Sequence, residues 1–191
     1  MMTHKFDYKI SKNLISDKRK KLLPAKEILL DLGLKNSDIV ADIGSGIGYF
    51  TFPASEIVGP EGKIYAMDIS SEMLNEIEKV IKDKHIFNIE VVKTKESKLM
   101  INDDSVNFAF ASTVLHEVDE LDSTLQEIKR IMFPGGKIAV IEWKQVKSDF
   151  GPPVEHRLDS NMLVEKLKEL GFRDIKGTDL NEYFYTITGL K

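Results

Sequence analysis

Val40-Ala41-Asp42-Ile43-Gly44-Ser45-Gly46-Ile47-Gly48-Tyr49-Phe50 is the stretch that decides how this 191-residue chain reads. Ile39, Val40 and Ile43 supply the β-branched run expected of an interior parallel strand. The strand then breaks into three glycines at alternating positions. Without Cβ atoms they let the backbone turn sharply and come close to a ligand. A helix predicted to start near Tyr49 turns free N–H groups and the positive end of its dipole toward that ligand.

Twenty residues beyond Gly48, Lys63-Ile64-Tyr65-Ala66-Met67-Asp68 predicts a second strand that ends on a carboxylate. In a doubly wound sheet these two strand ends lie side by side at the ligand crevice. A carboxylate placed there accepts hydrogen bonds from the vicinal hydroxyls of a ribose. Glycine loop and Asp68 together imply a ribose-bearing cofactor, and both NAD and S-adenosylmethionine (SAM) qualify. Spacing separates them, because a dinucleotide loop runs G-x-G-x-x-G around a pyrophosphate. Here the pattern is D-x-G-x-G-x-G with Tyr49 following. Asp42 would repel a pyrophosphate and suits the ammonium of an amino-acid tail. The run from Asp42 to Gly48, with Asp68 after it, resembles motif I and the following acidic motif of class I SAM-dependent methyltransferases.

Composition sets the frame. The chain is long enough for one domain with a substantial core. A net charge of −4 argues against a general nucleic-acid binder. No window approaches the roughly twenty apolar residues of a membrane span, and the first residues lack a secretory apolar core, so the cytoplasm is the expected location. The absence of cysteine excludes disulfides, thiolate zinc sites and a cysteine nucleophile. His4, His85, His116 and His156 show no ligand spacing, and no metal is expected.

The remaining elements alternate as a parallel sheet requires. Residues 11–32 read as mostly helical, with Leu22, Leu23, Ile28, Leu29 and Leu32 facing a core. Helices are predicted at 70–84, 121–132 and 159–170, and strands at 89–92, 106–111 and 137–143. Pro134-Gly135-Gly136-Lys137 reads as a turn before the fifth strand. Segments 172–176 and 183–189 alternate and are too close for a crossover helix, so they should pair antiparallel. The expected fold is α/β: a Rossmann-like, doubly wound, mostly parallel seven-stranded sheet ending in an antiparallel hairpin. Residues 1–191 form one domain on this reading, with the helical segment 1–35 capping the site.

The resemblance extends from about Lys18 to the C-terminus. It is nearest to the group related to ubiquinone/menaquinone-biosynthesis methyltransferases, on Ser112-Thr113-Val114-Leu115-His116-Glu117-Val118, Phe133-Pro134-Gly135-Gly136 and the segment 151–157. It implies methyl transfer from SAM to a small-molecule acceptor. Asp42, Gly44, Ser45, Gly46 and Gly48 are then expected at the methionyl part, Asp68 at the ribose, and Ile69, Met73, Glu96 and Ser97 around the adenine, with Ser112 nearby. Thr94-Lys95 stands where the family has Gly-Asp, and Asn107 where it has Asp. His116, Glu117 and Glu142 fall at the carboxyl edge of strands four and five and are the candidate catalytic residues. Phe6, Tyr8, His156 and Arg157 are candidate substrate contacts. The run Lys18-Arg19-Lys20-Lys21 reads as a solvated helix face, and nucleic acid is not expected as a partner. A methyltransferase acting on protein or RNA and an NAD-dependent oxidoreductase are the alternative readings.

Overall fold

β1 (Ile39–Ile43) is buried along nearly its whole length and lies between β2 (Lys63–Asp68) and β4 (Val106–Ser112). β2 carries β3 (Ile89–Lys93) on its outer side, and β4 carries β5 (Met132–Trp143). These five strands are parallel. β7 (Phe184–Leu190) runs antiparallel to β5, and β6 (Arg173–Asp179) antiparallel to β7, giving the order β3-β2-β1-β4-β5-β7-β6. The expected α/β class and terminal hairpin are therefore the observed ones. The computed structural model describes residues 17–95 and 97–191; Phe6, Tyr8 and Glu96 lie outside the described residues.

Both faces of the sheet are covered, which is why its strands read as apolar runs. Helices α2 (Ala25–Asp31), α3 (Thr51–Val58) and α4 (Ser71–Lys84) pack Ile28, Leu29, Ala54, Val58, Leu74 and Ile77 against Val40, Ile64 and Phe108. On the other face, α5 (Leu121–Ile131) and α6 (Ser160–Glu169) pack Leu125, Ile128, Leu163 and Leu167 against Ala41, Ala109 and Val140. Alternate residues of one strand thus enter opposite cores. Strand order reverses between β1 and β4, so the ligand crevice of such a sheet opens above their carboxyl ends.

Three details differ from the expected pattern. The helix expected over 11–32 is divided, among the described residues, into α1 (Asp17–Leu22) and α2, because Pro24 has no N–H and starts the second helix. α3 begins at Thr51 rather than near Tyr49, since Gly48 at φ +90° keeps the chain out of helix until Phe50. β5 starts five residues early, at Met132. Met132 pairs with Val106 and Lys137 with Phe108, so residues 133–136 bulge outward opposite Asn107. Lys191 stitches the bulge by accepting from Gly135 N–H and donating to the Gly136 carbonyl.

Asn107 also holds β1 in place. Its Oδ1 accepts the Ile39 N–H at 2.7 Å and its Nδ2 donates to Asp38 Oδ1 at 2.8 Å. Asn107→Asp keeps the acceptor but removes the donor and sets a second carboxylate against Asp38. The loss at pH 7 should be about 1–3 kcal/mol, seen as a melting point several degrees lower. It should shrink below about pH 4, where carboxylates protonate. A melting point unchanged at pH 7 contradicts this account of the β1–β4 edge.

Candidate active site

The glycine loop leaves β1 and is held by the end of β2. Gly44 and Ser45 N–H both donate to the Met67 carbonyl, and Gly46 N–H donates to Asp68 Oδ2 at 2.9 Å. Asp68 Oδ1 accepts from Ser70 N–H at 2.8 Å, and the Asp68 carbonyl accepts from Thr94 N–H at 3.0 Å. Burial raises the Asp68 carboxyl above its ordinary value, and the bonds from Ser70 and Gly46 pull it back. An ionised carboxylate has about four lone-pair sites. With backbone N–H groups of Ser70, Gly46 and Ile69 acting on it, the carboxylate keeps acceptor capacity for a ligand. Gly46 sits at φ +54°, a conformation that disfavours side chains. At Gly44 a Cβ would lie 2.4 Å from Val114, so the loop after β4 packs directly onto the glycine loop.

Asp42 is almost fully buried, and its Oδ2 accepts the Thr51 hydroxyl at 2.5 Å. Burial pushes its carboxyl up to about 7; Thr51 lowers it and the Asp68 charge raises it further. Ser45 Oγ and Ser112 Oγ are buried without a hydrogen-bond partner among the described residues. Unpaired buried hydroxyls are costly, and these two sit at the switch point, Ser45 in the loop after β1 and Ser112 at the end of β4. A polar ligand lying between the loops satisfies them, so these residues fit an adenosyl amino acid. Ile69 is exposed at the end of β2. Met73 is buried in the first turn of α4, where its N–H is capped by Ser70 Oγ. Ser97 lies in the turn closed by the Lys95–Lys98 bridge, after the Thr94 that bonds Asp68.

The other side of the crevice is built on Glu142. Register places β5 beside β4, with Ser112 opposite Ile141, and so brings Glu142 under the 3₁₀ turn Leu115–Glu117. Glu142 is fully buried. Its Oε1 accepts from the Leu115 and His116 N–H groups; its Oε2 accepts from Trp143 N–H and lies 2.9 Å from His116 Nδ1. With Glu142 Oε2 accepting from Nδ1–H, the neutral imidazole carries its proton on Nδ1 and leaves the Nε2 lone pair available as a base. Glu117 Oε1 stands 3.7 Å from Nε2. Burial lowers the His116 pKa, but the charge and hydrogen bond of Glu142, with Glu117, outweigh it, and the net shift is upward.

Arg157 requires a correction. It is buried, and its guanidinium donates to the carbonyls of Lys144, Val146, Phe150 and Pro152 and to Ser148 Oγ. With every N–H engaged it clasps the loop after β5 and has no donor left for a substrate. His156, next to it, is exposed in the turn Val154–His156. The basic run also departs from expectation: Arg19 turns inward, donating to Thr113 Oγ1 at 3.4 Å and lying over the Tyr49 ring. No site role for Thr51, Thr113 or Val114 is read from the sequence, although the last two lie in the run Ser112–Val118, because no local spacing ties them to Asp42, Arg19 or Gly44. Among the described residues, no cluster of His, Asp or Glu converges to hold a metal, and no helix is long and apolar enough to cross a membrane.

Residues 3–152 match the ubiE/COQ5 methyltransferase family. The chain belongs to that family. Its fold and cofactor are accordingly those of a SAM-dependent methyltransferase. It is 30% identical over 145 residues to the ubiquinone/menaquinone biosynthesis C-methyltransferase UbiE of Vibrio vulnificus, covering 74% of this chain and 55% of that protein. It is 26% identical over 133 residues to a demethylmenaquinone methyltransferase of Geobacillus stearothermophilus, covering 70% and 57%. The chain thus spans little more than half the length of these curated relatives. A solved SAM-dependent methyltransferase from Aquifex aeolicus superposes with a TM-score of 0.92 at 31% identity, covering 97% of this chain and 99% of that one.

Burying Asp42 has a cost in stability with a defined sign. Its folded pKa, about 7, lies above the unfolded value, so its contribution is complete below about pH 4 and is lost as pH rises through about 7. Asp42→Asn should therefore raise the melting point of the ligand-free protein above pH 7, by about 1–3 kcal/mol equivalent after one amide N–H loses its water. The gain should vanish below about pH 4. Melting curves between pH 4 and 8 check it; an equal gain at every pH contradicts the buried-charge account.

Proposed function

We propose that the protein transfers the methyl group of SAM to a small acceptor of the quinone-related class that its relatives' names carry, with His116 as the base. The arrangement that carries this reading is a pair of buried hydroxyls, Ser45 and Ser112, with no hydrogen-bond partner among the described residues, at the ends of the neighbouring strands β1 and β4, together with the carboxylate of Asp68 that anchors the glycine loop. On this reading Asp42, Gly44, Ser45, Gly46 and Gly48 surround the methionyl part, Asp68 accepts from the ribose, and Ile69, Met73, Glu96 and Ser97 border the adenine. Phe6 and Tyr8, in the N-terminal segment that caps the site on this reading, and His156 are proposed for the acceptor side, and the cytoplasm is taken as the place of action.

Bound SAM supplies a methyl group on a sulfonium, whose C–S electron pair leaves with sulfur. The chain's own share is orientation and proton handling. Holding the acceptor in line is worth roughly 7–11 kcal/mol when geometry is well fixed. His116 Nε2 takes the proton from an acceptor hydroxyl or acidic C–H, and the electron pair so released forms the new bond to the methyl carbon. Glu142 stabilises the imidazolium through Nδ1 and Glu117 stands beside Nε2. Glu142 acts through His116 and does not face the acceptor. An NAD-dependent oxidoreductase is disfavoured by the carboxylate under the glycine loop. A protein or RNA acceptor loses its main support, because Arg19 of the basic run faces inward.

The direct test is transfer of a labelled methyl from SAM to a panel of hydroxylated aromatic and quinol acceptors. His116→Asn should lower single-turnover rate by roughly 10²–10⁴-fold while S-adenosylhomocysteine affinity stays near wild type. Wild-type turnover in this variant removes His116 from the chemistry.

Asp68→Ala should weaken S-adenosylhomocysteine binding by about 2–4 kcal/mol, on the order of thirtyfold to a thousandfold. Unchanged affinity in a normally melting Asp68→Ala protein would place the ribose elsewhere.

A further inference from the structure

Arg19 touches both loops that frame the switch point. Its Nη2 donates to Thr113 Oγ1 at 3.4 Å, and its guanidinium carbon lies 5.1 Å from the Tyr49 ring centroid. Tyr49 ends the glycine loop, and its hydroxyl donates to the Leu23 carbonyl at 2.7 Å, which ties the chain just after α1 to that loop. Thr113 follows β4 at φ +53°, a conformation a β-branched residue rarely adopts and one that tends to be retained where geometry serves a site. One guanidinium therefore spans the exits of β1 and β4.

The charge balance of the crevice calls for a cation there. Its floor carries the carboxylates of Asp42 and Asp68. The amino-acid end of SAM carries an ammonium and a carboxylate together. Acidic neighbours suit the first and repel the second. A carboxylate leaving water needs a charge-assisted donor. Arginine remains cationic in a part-buried site, and stacking on an aromatic ring holds its planar fork in one orientation. The Thr113 hydroxyl accepts from Arg19 and keeps its own O–H to donate.

We infer that Arg19, with the Thr113 hydroxyl, binds the carboxylate of the methionyl tail. The inference rests on the SAM reading above. Asp42 and Arg19 then take the two charges of one zwitterion from opposite sides, and α1 becomes part of the cofactor site rather than a cover over it.

Ligand truncation tests it. S-Adenosylhomocysteine carries the amino-acid tail and 5′-methylthioadenosine lacks it. By calorimetry, Arg19→Gln should weaken S-adenosylhomocysteine about 10–100-fold while 5′-methylthioadenosine binds within about twofold of wild type. Arg19→Lys, which keeps the charge and loses the fork, should recover part of the loss. A measurement on the unmutated protein is independent of whether the variant folds. Decarboxylated SAM, missing only the carboxylate, should bind it at least about tenfold more weakly than SAM. Equal loss of both ligands in Arg19→Gln would make the residue structural and overturn the inference. So would unchanged S-adenosylhomocysteine affinity with reduced turnover, which would move Arg19 to the acceptor. Equal binding of SAM and decarboxylated SAM overturns it as well. A wild-type protein that binds neither S-adenosylhomocysteine nor 5′-methylthioadenosine overturns the SAM reading beneath it.

Discussion

The end of β2 fastens three loops at once. The Met67 carbonyl takes the N–H groups of Gly44 and Ser45, the Asp68 carboxylate takes those of Gly46 and Ser70, and the Asp68 carbonyl takes that of Thr94. The glycine loop, the start of α4 and the loop after β3 thus share one anchor of two consecutive residues. Asp68 can do this because a carboxylate at a strand end accepts in several directions. Under the proposed function, loop geometry and ribose recognition are one interaction, and losing the carboxylate disturbs both.

The crevice concentrates buried charge, and the fold handles each case differently. Arg157 is satisfied within its own loop, so its charge is fully spent on structure. Glu142 accepts three backbone N–H groups and still reaches His116, which makes it both the support of the 3₁₀ turn and the partner that sets the imidazole tautomer. Among the described residues the hydrogen bond to the Asp42 carboxyl is the one from the Thr51 hydroxyl, and burial pushes that carboxyl to about 7. A buried group so poorly compensated is a reserve of binding energy for a cation. Stability is given up at Asp42 and is recovered when a cationic group arrives.

The legible part of this architecture is the part whose chemistry is local. Strand, glycine turn and helix follow one another without interruption from Ile39, and Asp68 ends the next strand, so adjacency in sequence became adjacency in space. His116 and Glu142 were visible as separate candidates at strand ends, but their pairing depends on the β4–β5 register, which the bulge at residues 133–136 displaces. Arg19 and Thr113 lie 94 positions apart, and no periodicity of the basic run distinguishes an arginine turned inward from its solvated neighbours. Arg157 shows the opposite limit. An arginine facing an anion and one clasped by carbonyls look the same in a sequence, and only counting the filled donors separates them.

The central claim is that the loop between Asp42 and Tyr49, anchored on Asp68, is built for an adenosyl amino acid and not for a dinucleotide. Titrating the wild-type protein in parallel with S-adenosylhomocysteine and NAD by calorimetry tests this most directly. The account predicts saturable binding of S-adenosylhomocysteine and far weaker binding of NAD, because the carboxylate of Asp42 under the glycine loop repels a pyrophosphate. NAD binding the tighter of the two would contradict it.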